Sequence, residues 1–255
     1  MDLISLDIGG KFAHFRKYYA NNTALSHTIP PRTTIMGMLA AILGRERDSY
    51  YEELSSERIR IGVRILTPLK KSFHRLNLLS IKSTDDFTGK GGRIQTPFEI
   101  ITGYDLKKDL VTYRFFLAPT LEGKEVFDEL KNLLTSRKQK FNLTLGTANF
   151  SASIVNTKIY NDLNPILSDD WTIIHSAVLS DTVIQLDFNK DENSTSNFLE
   201  EDLLPCDFVK NDDREVRKMV RTLYSTKNTP FDVKLSVPYY SLHDQNEYQN
   251  IVFLE

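Results

Sequence analysis

Residues 30–44 have the sequence Pro-Pro-Arg-Thr-Thr-Ile-Met-Gly-Met-Leu-Ala-Ala-Ile-Leu-Gly. The two prolines favour an extended entry, Thr33 or Thr34 can cap a helix, and Gly44 can end it. Between them, apolar side chains recur at the i, i+3, i+4, i+7, i+8 spacing of one helical face: Ile35, Met38, Leu39, Ile42 and Leu43. The stretch therefore predicts a helix with a buried face.

Strand patterns lie on both sides of this helix. The apolar run from Leu3 to Ile8 stops at a glycine pair after about one strand length. Apolar residues 59, 61, 63 and 65 alternate with Arg58, Arg60 and Arg64, which predicts a half-buried strand with a cationic open face. Further patterns predict a strand at 111–117, a helix at about 122–135 and a strand at 150–160. The resulting β-α-β-β-α-β order is that of a ferredoxin-like α+β domain over residues 1–160.

The rest of the chain has weaker patterns. Residues 68–103 interrupt the regular order, and residues 58–93 hold nine basic and two acidic side chains. Beyond residue 160, strands are expected at 233–237 and 251–254, whereas 214–224 fits either a helix or a strand. Residues 187–215 hold ten acids and three bases, which favours a solvated excursion. Residues 161–255 are therefore expected to form a β-rich extension packed on the first domain.

Charge divides the chain. The total of 32 basic and 34 acidic residues gives a net charge of −2, but residues 1–100 carry 15 and 10, and residues 101–255 carry 17 and 24. The two parts are expected to face different partners. Composition is otherwise that of a globular protein, with 40% apolar and 26% charged residues.

The single cysteine, Cys206, cannot form an internal disulfide, so a reducing cytoplasm is the expected location. The longest apolar stretch, residues 35–43, is too short for a membrane span, and the acidic N-terminus does not resemble a signal peptide. No metal site is expected, because five scattered histidines and one cysteine form no ligand cluster. No cofactor is expected either.

The sequence contains few of the patterns typical of an enzyme. Asp85-Asp86 and Asp212-Asp213 lie in turn-like surroundings without a histidine at useful spacing. Cys206 has no neighbouring base, and Gly89-Lys-Gly-Gly-Arg93 lacks the spacing of a phosphate-binding loop. A ribonuclease could still use His14 with Lys17 or His74 with Lys71, and this alternative remains open.

Nucleic-acid binding is better supported. Residues 11–19 interleave cations with rings, and cations bind phosphates while flat rings stack on exposed bases. Arg32 and the two threonines after it begin a helix, whose N-terminus attracts anions. A nucleic-acid contact is predicted for Lys11, His14, Arg16, Lys17, Tyr18, Tyr19, Arg32, Thr33 and Thr34.

The segments 11–19, 25–44 and 46–51 resemble the N-terminus of the CRISPR-associated Cas-five family in its type I-B form. Leu145-Gly-Thr-Ala-Asn-Phe150 resembles a second, weaker signature of that family. The resemblance implies a ferredoxin-like palm of the RAMP superfamily with a β-hairpin thumb inserted at about 69–103. The implied thumb contacts to RNA are Lys70, Lys71, Arg75, Lys90 and Arg93.

The resemblance also implies a role in antiviral defence. Such proteins cap the 5′ handle of the CRISPR RNA in the Cascade complex and contact its backbone and large subunits. Contact with target DNA beside the protospacer motif remains open. Members of this form are usually noncatalytic, and the Lys-His pair of an RNA-cutting branch is missing here. We therefore expect no catalytic residue and an acidic C-terminal part that stays off the RNA.

Two other functions remain as hypotheses. The first is a metal-independent endoribonuclease that processes precursor CRISPR RNA. The second is a protein-interaction module whose basic half binds an acidic partner without RNA; nucleic acid that copurifies with the chain would argue against it.

Overall fold

A computed structural model describes residues 1–20, 23–187, 198–209, 214–244 and 247–255. The helices are α1 (Arg32–Leu43) and α2 (Lys124–Thr135). The strands of the first 160 residues are β1 (Leu3–Gly10), β2 (Phe15–Arg16), β3 (Ser26–His27), β4 (Ile59–Ile65), β5 (Leu69–Leu79), β6 (Arg93–Gly103), β7 (Val111–Pro119), β8 (Leu143–Thr144) and β9 (Ser151–Tyr160). The later strands are β10 (Thr172–Ile174), β11 (Val178–Leu179), β12 (Val183–Leu186), β13 (Leu199–Phe208), β14 (Val216–Ser225), β15 (Phe231–Leu235), β16 (Tyr240–Asp244) and β17 (Glu247–Ile251).

The fold is a strand-rich α/β structure around a five-stranded antiparallel sheet. The strands lie in the order β4-β7-β1-β9-β8, and α1 and α2 connect β1 to β4 and β7 to β9. The predicted order of strands and helices along residues 1–160 is therefore confirmed. All eight residues of β1 are buried, as the apolar run predicted, because β1 lies in the middle of the sheet.

Helix α1 has the predicted apolar face and ends at Gly44, whose φ of 77° is the left-handed conformation of a helix C-cap. The predicted threonine cap is wrong. The helix begins at Arg32 after Pro31, so Thr33 and Thr34 lie inside its first turn and neither makes a capping hydrogen bond. Proline suits this position because the first N–H groups of a helix need no partner within it.

The face of the sheet that was predicted to be open and cationic is covered. Late strands β16 and β17 pack Leu242 and Ile251 against Leu3 and Phe116 of the sheet. Arg64, on β4, donates a hydrogen bond to the side-chain oxygen of Gln249 on β17, at 2.8 Å, instead of facing solvent. The alternating pattern correctly located β4, but it could not show that a later segment covers its polar face.

The irregular insert is a long hairpin. β5 and β6 pair in register from Leu69 opposite Gly103 to Leu79 opposite Arg93, with a short 3-10 turn at Thr84–Thr88 near the tip. Its distal half is exposed on both faces. We call this hairpin, residues 69–103, the thumb.

The acidic segment 187–215 lies partly outside the described residues, which omit 188–197 and 210–213. Its described part is not a solvated excursion, because β13 pairs with β14 and buries Leu204, Cys206 and Asp207. The ambiguous 214–224 segment is strand β14. Cys206 packs in the core as expected, and burial raises the pKa of its thiol to about 11.

Candidate nucleic-acid interface

Three segments that the sequence marked separately meet at the base of the thumb. Ala13 exchanges two backbone hydrogen bonds with Ile101 of β6, at 3.1 and 2.9 Å. The next residue, His14, donates its backbone N–H to the carbonyl of Leu145 at 3.0 Å. The basic and aromatic N-terminal segment is thus attached to both the thumb and the 145–150 loop. We call this junction the thumb base.

Close backbone approach at the thumb base requires a glycine. Gly146 has a φ of 97°, and a Cβ atom at this position would lie 1.8 Å from the carbonyl oxygen of His14. Any side chain would therefore push the loop away from the N-terminal segment. This contact gives a physical reason for the glycine of the 145–150 motif.

His14 is part of this packing and not an exposed RNA contact, so that prediction is corrected. The residue is 2% exposed, its Nδ1 lies 2.7 Å from the carbonyl oxygen of Glu99, and its ring stacks on Phe98 at 4.1 Å. Burial lowers the pKa of His14, which favours the neutral ring. In this structure His14 positions the thumb.

The exposed part of the N-terminal segment carries the predicted cations and rings. Arg16 is exposed, while Tyr18 and Tyr19 are 58% and 53% exposed and touch edge to face. Lys11 is partly exposed and donates to the backbone carbonyl of Asp109 at 3.2 Å. These side chains offer phosphate and base contacts on one short loop.

Lys17 differs from its neighbours because an acid from β13 binds it. Its Nζ lies 3.0 Å from Asp202, which also accepts from Nδ1 of buried His27 at 2.8 Å. Burial alone would raise the pKa of Asp202, but His27 and Lys17 outweigh it and lower that pKa to about 2. Burial works to lower the pKa of Lys17, and Asp202 reverses this and raises it. The C-terminal acids thus contact the basic segment, and Lys17 is already paired.

The thumb places its cations along its length. Residues directly opposite or two apart in a hairpin share a face. The register therefore puts Lys71, Phe73 and Arg75 of β5 on one face together with Arg93 of β6. Phe73 is 61% exposed, so this face alternates cation, ring and cation. We call it the cationic thumb face.

The remaining thumb cations lie elsewhere. Lys70 points to the other face, and its Nζ donates a hydrogen bond to the backbone carbonyl of Tyr104 at 3.0 Å. Lys90 lies in the tip. A strand of 11 residues at a rise of about 3.3 Å spans roughly 33 Å from one end to the other. The structure thus brings Lys71 near Ala13 through Ile101, but leaves Lys90 and Arg93 far from the N-terminal loop.

The prediction that Arg32 contacts RNA is wrong. The residue is 2% exposed, and its guanidinium binds Asp207 at 2.8 Å and Glu255 at 2.9 Å. It also donates to the backbone carbonyls of Leu54 and Ile59. Every direction of the guanidinium is used inside the fold, so Arg32 ties α1 to the C-terminal strands.

Thr33 is buried, but together with Thr34 it lines a cleft of about 330 Å³ beside the first turns of α1. The cleft also has an aromatic wall and polar groups from distant parts of the chain, among them Tyr50, Tyr51, Asn142, Phe208 and Arg214. No sequence pattern groups these residues, because the lining of the cleft comes from five separate segments. Only the paired tyrosines, which fall in the 46–51 motif, could have been found.

Comparison with solved structures finds a similar fold in a CRISPR protein. A crystal structure of a CRISPR protein from Archaeoglobus fulgidus superposes with a TM-score of 0.56 at 12% identity and covers 100% of both chains. A chain of a CRISPR RNA-guided surveillance complex matches with a TM-score of 0.48 at 14% identity over 91% of each chain. Comparison with curated proteins gives no significant match.

The family model described as CRISPR-associated protein (Cas_Cas5) matches residues 3–157. The chain therefore belongs to that family, as the resemblance of its N-terminal segments indicated. No helix in the described part of the chain is long and apolar enough to cross a membrane.

Proposed function

We propose that this chain is a noncatalytic, RNA-binding subunit of a type I-B Cascade complex that caps the 5′ handle of the CRISPR RNA in the cytoplasm. The observation that carries the proposal is the thumb base. It joins an exposed loop of cations and tyrosines to the cationic thumb face, and single-stranded RNA is bound by such combinations of cations and rings.

In this proposal the first 160 residues form a ferredoxin-like palm, residues 69–103 the thumb, and 161–255 an extension packed on the palm. The strand order β4-β7-β1-β9 supports the ferredoxin-like assignment, since it is the order expected when two β-α-β units interlock. The distal thumb exposes large apolar side chains, including Leu78, Phe87 and Ile94. These are proposed to contact the backbone subunit, and other surfaces the large subunit and target DNA near the protospacer motif.

Charge reversal tests the RNA-binding surface. Arg16→Glu with Arg75→Glu changes two exposed cations, one in the loop and one on the cationic thumb face, without touching the core. We expect RNA with the repeat-derived handle to bind at least tenfold more weakly, as measured by fluorescence anisotropy. The slope of log affinity against log salt should fall by about 0.7 for each lost phosphate contact.

The matched control is Arg47→Glu with Lys124→Glu, which reverses two exposed cations away from the thumb base. It should leave binding unchanged. Equal loss in both variants would show only a general effect of charge, and full binding by a folded Arg16→Glu, Arg75→Glu protein would refute the assignment.

The noncatalytic part of the proposal has a separate test. His74 is exposed on the thumb, and its Nε2 lies 3.2 Å from the Ser72 hydroxyl, so His74→Ala leaves the core intact. Complexes should be purified with their RNA, and the 5′ ends of that RNA mapped. Ends that stay the same in His74→Ala and in His14→Ala fit a capping subunit. Uncut precursor in either folded variant would make this chain the processing ribonuclease.

A further inference from the structure

Strand β9 leaves one edge of the central sheet open. On one side β9 pairs with β1 from Ala152 to Tyr160, with a bulge at Val155, whereas β8 on the other side pairs only with Ser151 and Ala152. From Ser153 to Ile159 no described strand covers this second edge. Because alternate residues of a strand direct their N–H and C=O groups to the same side, about half of these residues present unpaired backbone groups.

A groove of about 660 Å³ runs beside this edge. It is lined by β9 residues 153–157 and 159, and by residues from the end of α2 and the loop after it: Leu134, Thr135, Arg137 and Gln139. Its lining includes apolar Ile154 and Ile159 together with polar Asn156 and Thr157. A segment lying here would meet both backbone groups and side-chain contacts.

The groove lining contains the cation Arg137, and Lys138 and Lys140 follow it in the chain. Arg137, Lys138 and Lys140 are exposed, and none of them forms an ion pair with the described residues. The two other nearby lysines, Lys131 and Lys158, are already paired with Asp2 and Asp244. An incoming acidic chain would therefore meet Arg137 in the groove, with Lys138 next to it in the chain.

We propose that this groove binds an extended acidic segment of a protein partner, which adds to the sheet as a strand beside β9. The open edge selects a polypeptide over RNA, because only a peptide backbone matches the spacing of the N–H and C=O groups. A second copy of this chain is disfavoured, since pairing two β9 edges would bring two sets of 137–140 cations together. Of the common protections of an edge strand, β9 has one bulge, at Val155, but it has no proline, and its single lysine is neutralised.

The proposal is independent of the RNA role, and its test uses the full chain. The probe is a soluble nine-residue peptide of alternating glutamate and β-branched residues. Binding is followed by hydrogen exchange of the β9 amides. The expected result is protection of amides within residues 153–159, lost when alternate peptide nitrogens are methylated. Arg137→Glu with Lys138→Glu should weaken binding at least tenfold, and the matched exposed pair Lys107→Glu with Lys108→Glu should not.

Several results would overturn it. The peptide could fail to protect these amides at millimolar concentration. A single-stranded RNA could protect the same amides better than the peptide does. The chain alone could show protection that grows with its concentration together with a dimer mass, which would make the occupant a second copy. Loss of handle RNA binding in Arg16→Glu, Arg75→Glu has no bearing on these results.

Discussion

Glu255 is partly buried beside Arg32 and Asp207, and this position makes stability depend on pH. Burial outweighs the attraction of Arg32 and raises the pKa of Glu255 to about 7. One of its oxygens accepts from Arg32 and from the N–H of Ile61, while Oε2 is buried without a hydrogen-bond partner. A carboxyl whose pKa is higher in the folded state binds its proton more tightly there. Its contribution is therefore fully present below about pH 4.5 and is lost as the pH rises through about 7.

The test is Glu255→Gln, which keeps the accepting oxygen and cannot ionise. We expect equal free energies of unfolding for variant and wild type near pH 4.5, and a variant that is more stable by on the order of 1–3 kcal/mol at pH 8. Urea titrations at several pH values measure this. The difference in free energy of unfolding between the two proteins at each pH cancels the contribution of His14, which is the same in both. The control is Glu201→Gln, which changes an exposed acid. If the free energy of unfolding of Glu255→Gln runs parallel to that of the wild type over the whole pH range, the expectation is contradicted.

Arg32 shows where reasoning from the residues alone was limited. An arginine at a helix start after two prolines has the appearance of an anion site, and only the arrival of Asp207 and Glu255 from the far end of the chain makes it structural. The pairing of Lys17 with Asp202 was hidden for the same reason. The exposed Arg16, Tyr18 and Tyr19 were placed correctly on the surface, whereas Phe15 of the same segment lies in the core.

At the scale of elements, patterns predicted what local sequence controls. The limits of α1 at Gly44 and of β4 at Ile59–Ile65 follow from apolar spacing and glycine geometry. The thumb was irregular by pattern, because both faces of its distal half are exposed and no apolar alternation is needed. Residues 199–208 were predicted to be part of a solvated excursion because the segment is acidic. They form a strand instead, because they pair with β14.

The thumb's tip can be removed without cost to the core. Residues 84–93 contain no buried side chain, and the strands below them stay paired up to Leu78 opposite Ile94. Deleting 84–93 should therefore change the melting temperature by no more than about 2 °C, as expected for surface changes in a chain of this size. The amount of the chain that copurifies with the complex should, in contrast, fall severalfold. A deletion variant that melts many degrees lower but still copurifies with the complex at the wild-type level would contradict this expectation.

At the scale of the whole molecule, the C-terminal part completes the core. Ala177, Leu204, Tyr224 and Leu254 belong to the same buried cluster as the sheet and both helices, and a second cluster joins β16 and β17 to the opposite face of the sheet. The central strands are thus buried on both faces, as in a three-layer structure. The basic and acidic parts of the sequence are joined in one fold.

Residues 1–160 should consequently fail to fold alone, despite containing every strand and helix of the palm. Their isolation would expose Leu3 and Phe116 to water and leave Arg32 buried without Asp207 and Glu255. Removing the partners of a buried charge costs about 3–5 kcal/mol, a large part of the 5–15 kcal/mol typical of a whole protein. We expect residues 1–160 to be insoluble or to give a poorly dispersed amide NMR spectrum. The tip-deleted chain, which loses no buried contact, is the control that should remain well dispersed. A cooperative melt and a dispersed spectrum for residues 1–160 would mean that the palm is stable alone and that the extension serves only to hold Lys17 and the thumb base in position.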